Sequence, residues 1–380
     1  MSAPLPLSGI RVVEFSHMVM GPACGLVLAD LGAEVIKVEP EGRGDPTRYL
    51  TSTGAGFFAA FNRNKKSVTL DLASPEGLAA AKRLVATADV FLENFRPGAL
   101  EAKGLGYAAL SAVNPRLVYC SLKGFLSGPY EHRTALDEVV QMMSGLAYMT
   151  GPVGQPLRAG APVNDMMGGM FGAIAILAAL RERERTGKGQ QVQSGLFENA
   201  AWLVSTHMMQ HAVTGKPPVP MSAGKRAWGV YDVFACADGG RVFVGVVTER
   251  QWELFTAALD EPALRDPAYA TNTLRAAARE TLIPLVAKVL ARRPAATVER
   301  LCEEAGLPFA PIRTPSDLFD DPHLNAGGML EFPLPDGTTT RIPALPIQFG
   351  EDRPSLRSGL PKPGEHNAEI LGPAGGGGKA

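Results

Sequence analysis

The chain has 380 residues, of which 46% are hydrophobic and 20% charged, with a formal net charge of −1. These values are typical of a globular protein with two domains. No Lys/Arg run or basic stripe is present, which argues against a nucleic-acid partner. The start lacks the features of a signal peptide, and the most apolar stretch is too short to span a bilayer and ends in charges, so we expect no membrane role.

The four cysteines are widely spaced, and none forms a C-x-x-C pair. They predict neither a disulfide framework nor a zinc site. His207 and His211 lie four residues apart on a predicted helix, a spacing that could hold a metal, but no carboxylate or third histidine lies close in the sequence. We therefore expect a cytoplasmic protein without a bound metal.

Strands alternate with helices through the first third of the chain. "IRVVEF" (10–15) is followed by a glycine turn, a helix and the strand "AEVIKVEP", which predicts a βαβ unit. "SPEGLAAAKRLVATA" begins with Ser74 as helix N-cap and Pro75 at the first helical position. The alternation continues through "DVFLENF", "YAALSAVN" and "RLVYCSLKG". This pattern predicts an α/β fold with a mostly parallel, doubly wound sheet.

Helices dominate the next part, and a second unit follows. We predict helices around 137–149, after Asp165 and over "ENAAWLVSTHMMQHAV", then a linker at 215–227. "WGVYDVFACADGGRVFVGVV" predicts two strands around a D-G-G turn, and "PDG" (335–337) predicts a second hairpin. The tail, 373–380, is low-complexity and is expected to be disordered.

The first glycine turn has two interpretations. It leads into a helix, and Glu39 ends the second strand where a ribose-binding acid often lies. However, the turn has the pattern G-P-A-C-G, and Pro22 removes a backbone N–H that a pyrophosphate would use. A structural βαβ unit is favoured over a dinucleotide site.

Seven ordered stretches are similar to one known family. They are "GIRVVEFSHMVMGP", "LGAEVIKVEPEGRGDPTR", "NRNKKSVTLDL", "ENFRPGALEAKGLGY", "NPRLVYCSLKGF", "RAGAPVNDMMGG" and "RTGKGQQVQSGLFENA". Together they resemble the class III coenzyme A transferases (CaiB/BaiF type), which include formyl-CoA transferase, carnitine CoA-transferase and the 2-methylacyl-CoA racemases. The resemblance covers nearly the whole chain and is strongest over residues 8–212.

The resemblance implies a large Rossmann-like domain formed by both chain ends (1–214 and 326–372) and a smaller α+β domain (228–325). It also implies an interlocked homodimer and no tightly bound cofactor, with acyl-CoA and a carboxylic acid as substrates. It places CoA along His17, Met18, Val19, Asn62, Arg63, Asn64, Lys65, Asn94, Phe95, Arg96, Lys103 and Lys123. Arginine–phosphate pairs are charge-assisted and suit such a ligand; the alternative is a solvated loop with ordinary surface charges.

Asp165, in "PVNDMMGG", corresponds to the family's nucleophile. An aspartate before a helix is also a favoured N-cap, and we expect the helix N-terminus to keep its carboxylate ionised. Gly168 and Gly169 follow in the first turn, where alanine would favour the helix by about 1 kcal/mol each. We interpret both glycines as clearance for a bulky thioester.

The resemblance implies CoA transfer through an aspartyl anhydride and an aspartyl-CoA thioester. The segment "SAGKRAWG" lacks the four-glycine run of the formyl-CoA branch, which argues against formyl-CoA:oxalate transfer. Many family members use succinyl-CoA or related dicarboxylates, so we expect succinyl-CoA or a related short dicarboxylyl-CoA as donor and a free carboxylic acid as acceptor.

Two alternatives remain, a 2-methylacyl-CoA racemase and a CoA-binding protein without catalysis. A racemase needs two acid/base groups, and that branch carries histidine where this chain has Leu136. His132 could substitute for it, and Asp137 could cap its own helix or orient Asp165. The non-catalytic alternative would require a defective nucleophile, whereas Asp165 is present.

Overall fold

The computed structural model describes residues 5–224 and 227–372, so the predicted tail at 373–380 lies outside the described residues. The chain forms two compact units. The large unit contains residues up to Ala223 together with those from Ala326 onwards, and the small unit contains Gly224–Asn325.

The large unit is built on a six-stranded sheet in which each pair of neighbouring strands is parallel. The strand order is 3-2-1-4-5-6, the order of a Rossmann-type sheet. The predicted parallel α/β sheet is therefore confirmed. The strands are β1 (Arg11–Phe15), β2 (Glu34–Glu39), β3 (Lys65–Thr69), β4 (Val90–Glu93), β5 (Val118–Lys123) and β6 (Gln191–Gly195).

Helices connect and cover these strands. Two predicted helices are each broken in the structure, one at Gly145, which adopts a left-handed φ of 84°, and the other at Val204. The helices are α1 (Met20–Asp30), α2 (Phe57–Phe61), α3 (Pro75–Ala86), α4 (Tyr107–Val113), α5 (Asp137–Ser144), α6 (Leu146–Thr150), α7 (Val163–Thr186), α8 (Leu196–Leu203) and α9 (Ser205–Thr214).

The small unit contains a three-stranded antiparallel sheet with helices on one face. Its first two strands form the predicted hairpin, whereas the sequence analysis missed the short third strand. The elements are β7 (Val230–Ala235), β8 (Arg241–Val246), α10 (Glu249–Leu259), α11 (Asn272–Ala277), α12 (Arg279–Leu290), α13 (Ala295–Glu304), β9 (Phe309–Pro311) and α14 (Pro322–Asn325).

The chain then returns to the large unit, where it closes one edge of the parallel sheet. It forms the second predicted hairpin, from β10 (Met329–Pro333) and β11 (Thr339–Pro343), and ends in α15 (Asn367–Leu371). Residues 355–367 lie along edge strand β3. The Asn64 amide binds the backbone of this segment at Ser355 and Ser358, and His366 exchanges hydrogen bonds with Ser67. This segment covers backbone that would otherwise be an open sheet edge.

Two hydrophobic cores lie on opposite faces of the sheet. One core joins the sheet to α1 and α7, and the other joins it to α3 and α4. The strands can be apolar over most of their length because both faces are covered.

Helices α1 and α7 pack so closely that only glycine fits between them. A Cβ added at Gly169 would lie 2.7 Å from the Met20 carbonyl oxygen and 2.9 Å from the Cys24 nitrogen. A Cβ at Gly168 would lie 2.4 Å from the Met20 side chain. The predicted role of these glycines as clearance for a thioester is therefore wrong, because both are buried against α1.

By length and composition alone, α7 could cross a membrane, contrary to the expectation that no stretch is long enough. In the structure it packs against α1 and β5 along its glycine and alanine face. Its opposite face, which carries Met166, Met170 and Ile174, is exposed in the single chain.

Replacing Gly169 by alanine tests the packing of α1 on α7. We expect Gly169→Ala to lower the free energy of unfolding by about 1–3 kcal/mol, because the new methyl group meets backbone atoms that cannot rotate away. Urea unfolding followed by circular dichroism measures this change. Arg181→Ala, on the exposed side of the same helix, is the control, with a change within about 0.5 kcal/mol. Equal stability of Gly169→Ala and the unchanged protein would contradict the packing argument.

Candidate active site

The strand order reverses where β1 and β4 lie side by side at the middle of the sheet, and we call the region at the carboxyl ends of these two strands the crevice. The chain leaves neighbouring strands in opposite directions here, and ligands of open α/β sheets bind at the carboxyl ends of such strands. Two predicted site residues meet in the crevice. The Asn94 side chain accepts a hydrogen bond from the His17 nitrogen (3.0 Å) and donates one to the His17 oxygen (2.9 Å).

Aromatic and basic side chains surround this pair. The Phe95 ring lies 5.4 Å from the His17 ring in an edge-on arrangement, and Arg96 is exposed next to it. Lys123 ends β5 and lines a cavity of about 250 Å³ together with Gly98 and His132. These predicted residues lie at the carboxyl edge of the sheet. The segment 17–19 follows β1, Asn94 to Arg96 and Lys103 follow β4, and Lys123 is the last residue of β5.

Although the His17 side chain is partly exposed, the surrounding protein removes part of its water, and this desolvation lowers its pKa. The negative charge of Asp45 opposes this effect, and the Lys37 charge adds to it. The net result is a pKa below the usual value. His17 therefore presents a neutral imidazole to the crevice near pH 7.

Residues Asn62, Arg63, Asn64 and Lys65 do not belong to this crevice, contrary to the prediction. They lead into β3 at the amino edge of the sheet, and all four are buried. Arg63 pairs with Asp30 at 2.6 Å, and Lys65 pairs with Glu14 at 2.8 Å. Both cations are therefore neutralised inside the fold. The alternative of a solvated surface loop is wrong for the same reason.

Glu39 is likewise engaged within the protein. Its carboxylate pairs with Arg48 at 2.6 Å and accepts hydrogen bonds from the Asp45 nitrogen and the Ser67 hydroxyl. These partners occupy both carboxylate oxygens, which agrees with the structural interpretation of the first βαβ unit.

Asp165 lies in the first turn of α7 but does not cap it, contrary to the N-cap interpretation. The carboxylate of Asp137, in the first turn of α5, performs that task from a neighbouring helix. One of its oxygens accepts the Asn164 N–H at 2.8 Å and the Asp165 N–H at 3.2 Å. The other accepts a hydrogen bond from the Gln141 side chain at 2.5 Å. Asp137 thus caps α7 rather than its own helix.

The Asp165 carboxylate is half-buried and makes no hydrogen bond to the part of the protein that the structure describes. Burial raises its pKa, and the nearby Asp137 charge raises it further, to about 7. The expectation that the helix N-terminus would hold this carboxylate firmly ionised is therefore wrong. The amide groups that would do so are bonded to Asp137.

The packing of α1 on α7 brings Asp165 towards the crevice. Met20 directly follows the loop of His17 to Val19 and contacts the first turns of α7 at Gly168 and Gly169. Asp165 precedes Gly169 by one helical turn. Asp165 and the loop of His17 to Val19 therefore lie at the N-terminal ends of two helices, α7 and α1, that pack against each other.

No histidine supports a racemase at this position within the described chain. The Leu136 side chain is 63% exposed, and the His132 Nε2 atom lies 3.0 Å from a Glu131 carboxylate oxygen, beside Lys123. The neighbour that perturbs Asp165 is a second carboxylate, which is acceptor-only when ionised.

The capping role of Asp137 was not predicted. Sequence spacing cannot show that a carboxylate on one helix caps another, although the first-turn position of both aspartates was visible. Chemically, an unbonded carboxylate with a pKa of about 7 can act as a nucleophile. The described residues contain no group of three His, Cys, Asp or Glu side chains that could hold a metal.

Comparisons with known proteins identify the family of the chain. The family model of CoA-transferase family III matches residues 7–367. Succinate–glutarate CoA-transferase of Agrobacterium fabrum is 36% identical over 381 residues, which cover 96% of this chain and 95% of that protein. Succinyl-CoA–D-citramalate CoA-transferase of Chloroflexus aurantiacus is also 36% identical, over 97% of this chain and 94% of that protein.

The crystal structure of a CAIB/BAIF family protein from Brucella suis superposes with a TM-score of 0.86 at 35% identity, covering 97% of this chain and 99% of that one. The match of the family model over nearly the whole chain and the named relatives agree with each other. The chain belongs to CoA-transferase family III and is an enzyme that transfers CoA.

Proposed function

We propose that this enzyme moves CoA from an acyl-CoA donor to a free carboxylic acid, with Asp165 as the covalent nucleophile. The observation that supports this most directly is the Asp165 carboxylate. It is half-buried, has no hydrogen bond to described residues and has a pKa of about 7. Its lone pairs are therefore available, and it is more basic than an ordinary aspartate.

The reaction begins with attack of an Asp165 oxygen on the thioester carbonyl. The carbon–sulfur bond breaks, CoA leaves as the thiolate, and an aspartyl–acyl anhydride forms. The thiolate then attacks the aspartyl carbonyl and expels the donor acid as its carboxylate. The product is an aspartyl-CoA thioester.

The second half repeats this chemistry with the acceptor. The acceptor carboxylate attacks the aspartyl thioester, which gives a second anhydride and free thiolate. The thiolate attacks the acceptor carbonyl and restores the Asp165 carboxylate. The role of Asp137 is to hold the first turn of α7, and with it the Asp165 backbone, in place.

Short dicarboxylic acids are the substrate class that we assign to this enzyme. The support is similarity: relatives named for succinate, glutarate and citramalate match over nearly the whole chain. CoA itself is proposed to lie in the crevice of His17 and Asn94, with Arg96, Lys103 and Lys123 towards its phosphates.

Trapping the covalent intermediate tests the nucleophile. Incubation with succinyl-CoA is expected to add a CoA-sized mass that maps to the peptide of Asp165. Asp165→Asn should show no adduct and a transfer rate lower by about 10³-fold or more, since the amide is a poor nucleophile. Intact-mass spectrometry and exchange of labelled succinate and glutarate measure both. Exchange at the normal rate in Asp165→Asn would refute the proposal.

Solvent deuterium separates the transferase from a racemase. Incorporation of deuterium at the α-carbon of a 2-methylacyl-CoA would favour the racemase. A chain that binds CoA but neither exchanges acids nor incorporates deuterium would be the non-catalytic alternative.

The pH dependence of the rate tests the environment of Asp165. Only the ionised form attacks, so kcat/KM should fall about tenfold per pH unit below pH 7. Asp137→Asn removes one of the two causes of the raised pKa while keeping an oxygen for the α7 amides. We therefore expect the acidic limb to move to lower pH.

Glu138→Gln is the matched control for this experiment. Glu138 neighbours Asp137 but pairs with Arg158 at 2.9 Å, and it does not contribute to the Asp165 shift. The acidic limb of kcat/KM in Glu138→Gln should stay near pH 7. If the acidic limb of the kcat/KM profile lies at the same pH in Asp137→Asn and in the unchanged protein, the Asp137 charge is not a cause of the raised Asp165 pKa.

We further propose that a second copy of the chain covers an apolar face of the large unit. The exposed apolar side chains of this face lie on four helices and include Val139, Met142, Met143, Met166, Met170, Ile174, Trp202, Met208, Met209 and Val213. A cavity of about 400 Å³ between α5, α6 and α9 belongs to the same face. Monomeric proteins rarely expose so large an apolar surface.

The mass in solution tests this arrangement. We expect light scattering after size exclusion to give twice the chain mass of 40.2 kDa, since a second copy would cover the exposed side chains. Met170→Glu combined with Met209→Glu should shift the protein towards the monomer, because charges would be buried in the interface. Arg181→Glu, on a charged part of α7, is the control. A monomeric mass for the unchanged protein would refute the dimer.

The cytoplasm is the proposed location. The cysteines of the described chain are free, and all of them are buried, which is usual for a reducing compartment.

A further inference from the structure

The loop between β1 and α1 has an unusual backbone conformation. Met18 has a φ of 63°, in the left-handed region that non-glycine residues rarely adopt. Its side chain is 41% exposed, so packing of the side chain does not force this conformation. A backbone strained at a ligand-binding loop persists only when its surroundings hold it.

Hydrogen bonds hold this loop from several elements. The Met18 nitrogen donates to the Thr47 hydroxyl oxygen at 3.0 Å. The neighbouring His17 is held at both its nitrogen and its oxygen by Asn94. The Ser16 oxygen accepts a hydrogen bond from the Lys37 ammonium at 2.7 Å. The conformation of the loop is thus fixed by polar contacts to its backbone.

The Thr47 contact comes from the sequence motif G-D-P-T-R (44–48), which follows β2. Asp45 accepts a hydrogen bond from the Thr47 nitrogen at 2.8 Å and caps the short 3₁₀ helix Pro46–Tyr49. Arg48 anchors the other end of the motif on Glu39 at the end of β2. The motif is therefore attached rigidly to the sheet.

A buried ion pair connects the motif to the loop a second time. Lys37 lies 2.9 Å from Asp45, and both side chains are almost fully buried. The same ammonium group holds the Ser16 oxygen. Burial alone would raise the pKa of Asp45, but the Lys37 charge and the Thr47 hydrogen bonds outweigh it and lower the pKa. Asp45 stays ionised, so this connection persists at neutral pH.

Thr47 and Asp45 are each 2% exposed, so they have almost no surface with which to contact a ligand. His17 and Met18, by contrast, are exposed at the crevice. Any effect of the motif on a ligand must therefore pass through the loop.

We propose that the G-D-P-T-R segment is the positioning element of the CoA site, with Thr47 holding Met18 in the left-handed conformation that CoA binding requires. This inference rests on the proposed place of CoA in the crevice of His17 and Asn94. Without the Thr47 hydroxyl, Met18 relaxes to negative φ, and only a fraction of the molecules presents the binding conformation. The apparent affinity falls by that fraction.

A double-mutant cycle tests the proposal, with calorimetric titration of free CoA as the measurement. Thr47→Val keeps the shape of the side chain but removes the acceptor, and we expect the Kd for CoA to rise about 5–10-fold. Glycine adopts positive φ at little cost. In a Met18→Gly background the same Thr47→Val change should therefore raise the Kd by less than about 2-fold.

Steady-state kinetics give a second measurement. Thr47→Val should raise KM for succinyl-CoA and leave kcat nearly unchanged, because Asp165 lies on another helix. Thr87→Val is the matched control. It also removes a threonine hydroxyl with hydrogen-bond partners, but at the C-terminal end of α3, outside the crevice. It should leave both constants unchanged.

The outcomes distinguish failure of the positioning role of Thr47 from failure of the proposed CoA site. The positioning role alone would be overturned by a Kd that Thr47→Val leaves unchanged, or by an equal loss of affinity in the unchanged and the Met18→Gly backgrounds. If the unchanged protein binds CoA and Asn94→Ala binds it with the same Kd, CoA lies outside the crevice. This result would overturn both the proposed CoA site and the positioning role. The expected cycle would support both.

Discussion

One carboxylate oxygen of Asp137 carries a constraint on which the position of Asp165 depends. It accepts two backbone N–H groups at the start of α7, so it fixes the helix on which Asp165 lies. The same contact uses amide groups that would otherwise stabilise the Asp165 anion. A single interaction therefore positions Asp165 and also leaves its carboxylate with a raised pKa. The Gln141 amide holds the second Asp137 oxygen and accepts the Ala159 N–H, which attaches the segment before α7 to the same carboxylate.

The glycine contact between α1 and α7 joins this region to the crevice. Gly168 and Gly169 let the first turns of α7 lie against Met20, the residue that follows the crevice loop. The loop is fixed from its other side by Asn94 and Thr47. Helix α7, which carries Asp165, and the loop of His17 to Val19 thus share a rigid support. Close helix packing, rather than space for a substrate, explains the glycines.

The alternation of strands and helices was sufficient to predict the parallel sheet, because buried parallel strands need continuous apolar runs. The motif of Asp165 marked it as a candidate nucleophile, but its place inside the first turn of α7 was not predicted. The buried ion pairs of Arg63 and Lys65 could not be predicted, because their partners Asp30 and Glu14 are distant in sequence. A basic cluster is the same in sequence whether it binds phosphate or lies in buried ion pairs. The pKa of Asp165 also depends on a neighbour from another helix, which periodicity cannot show.

The cover on β3 has a consequence for the order in which the chain folds. Asn64 and Ser67 bind partners that lie 291 to 299 residues later in the sequence. During synthesis on the ribosome, β3 therefore emerges long before the segment that closes its edge, and the whole small unit is made in between. The nascent sheet passes through a stage in which one strand still offers its backbone to other chains. Synthesis of residues 355–367 ends this stage, so this segment protects the fold as well as belonging to it.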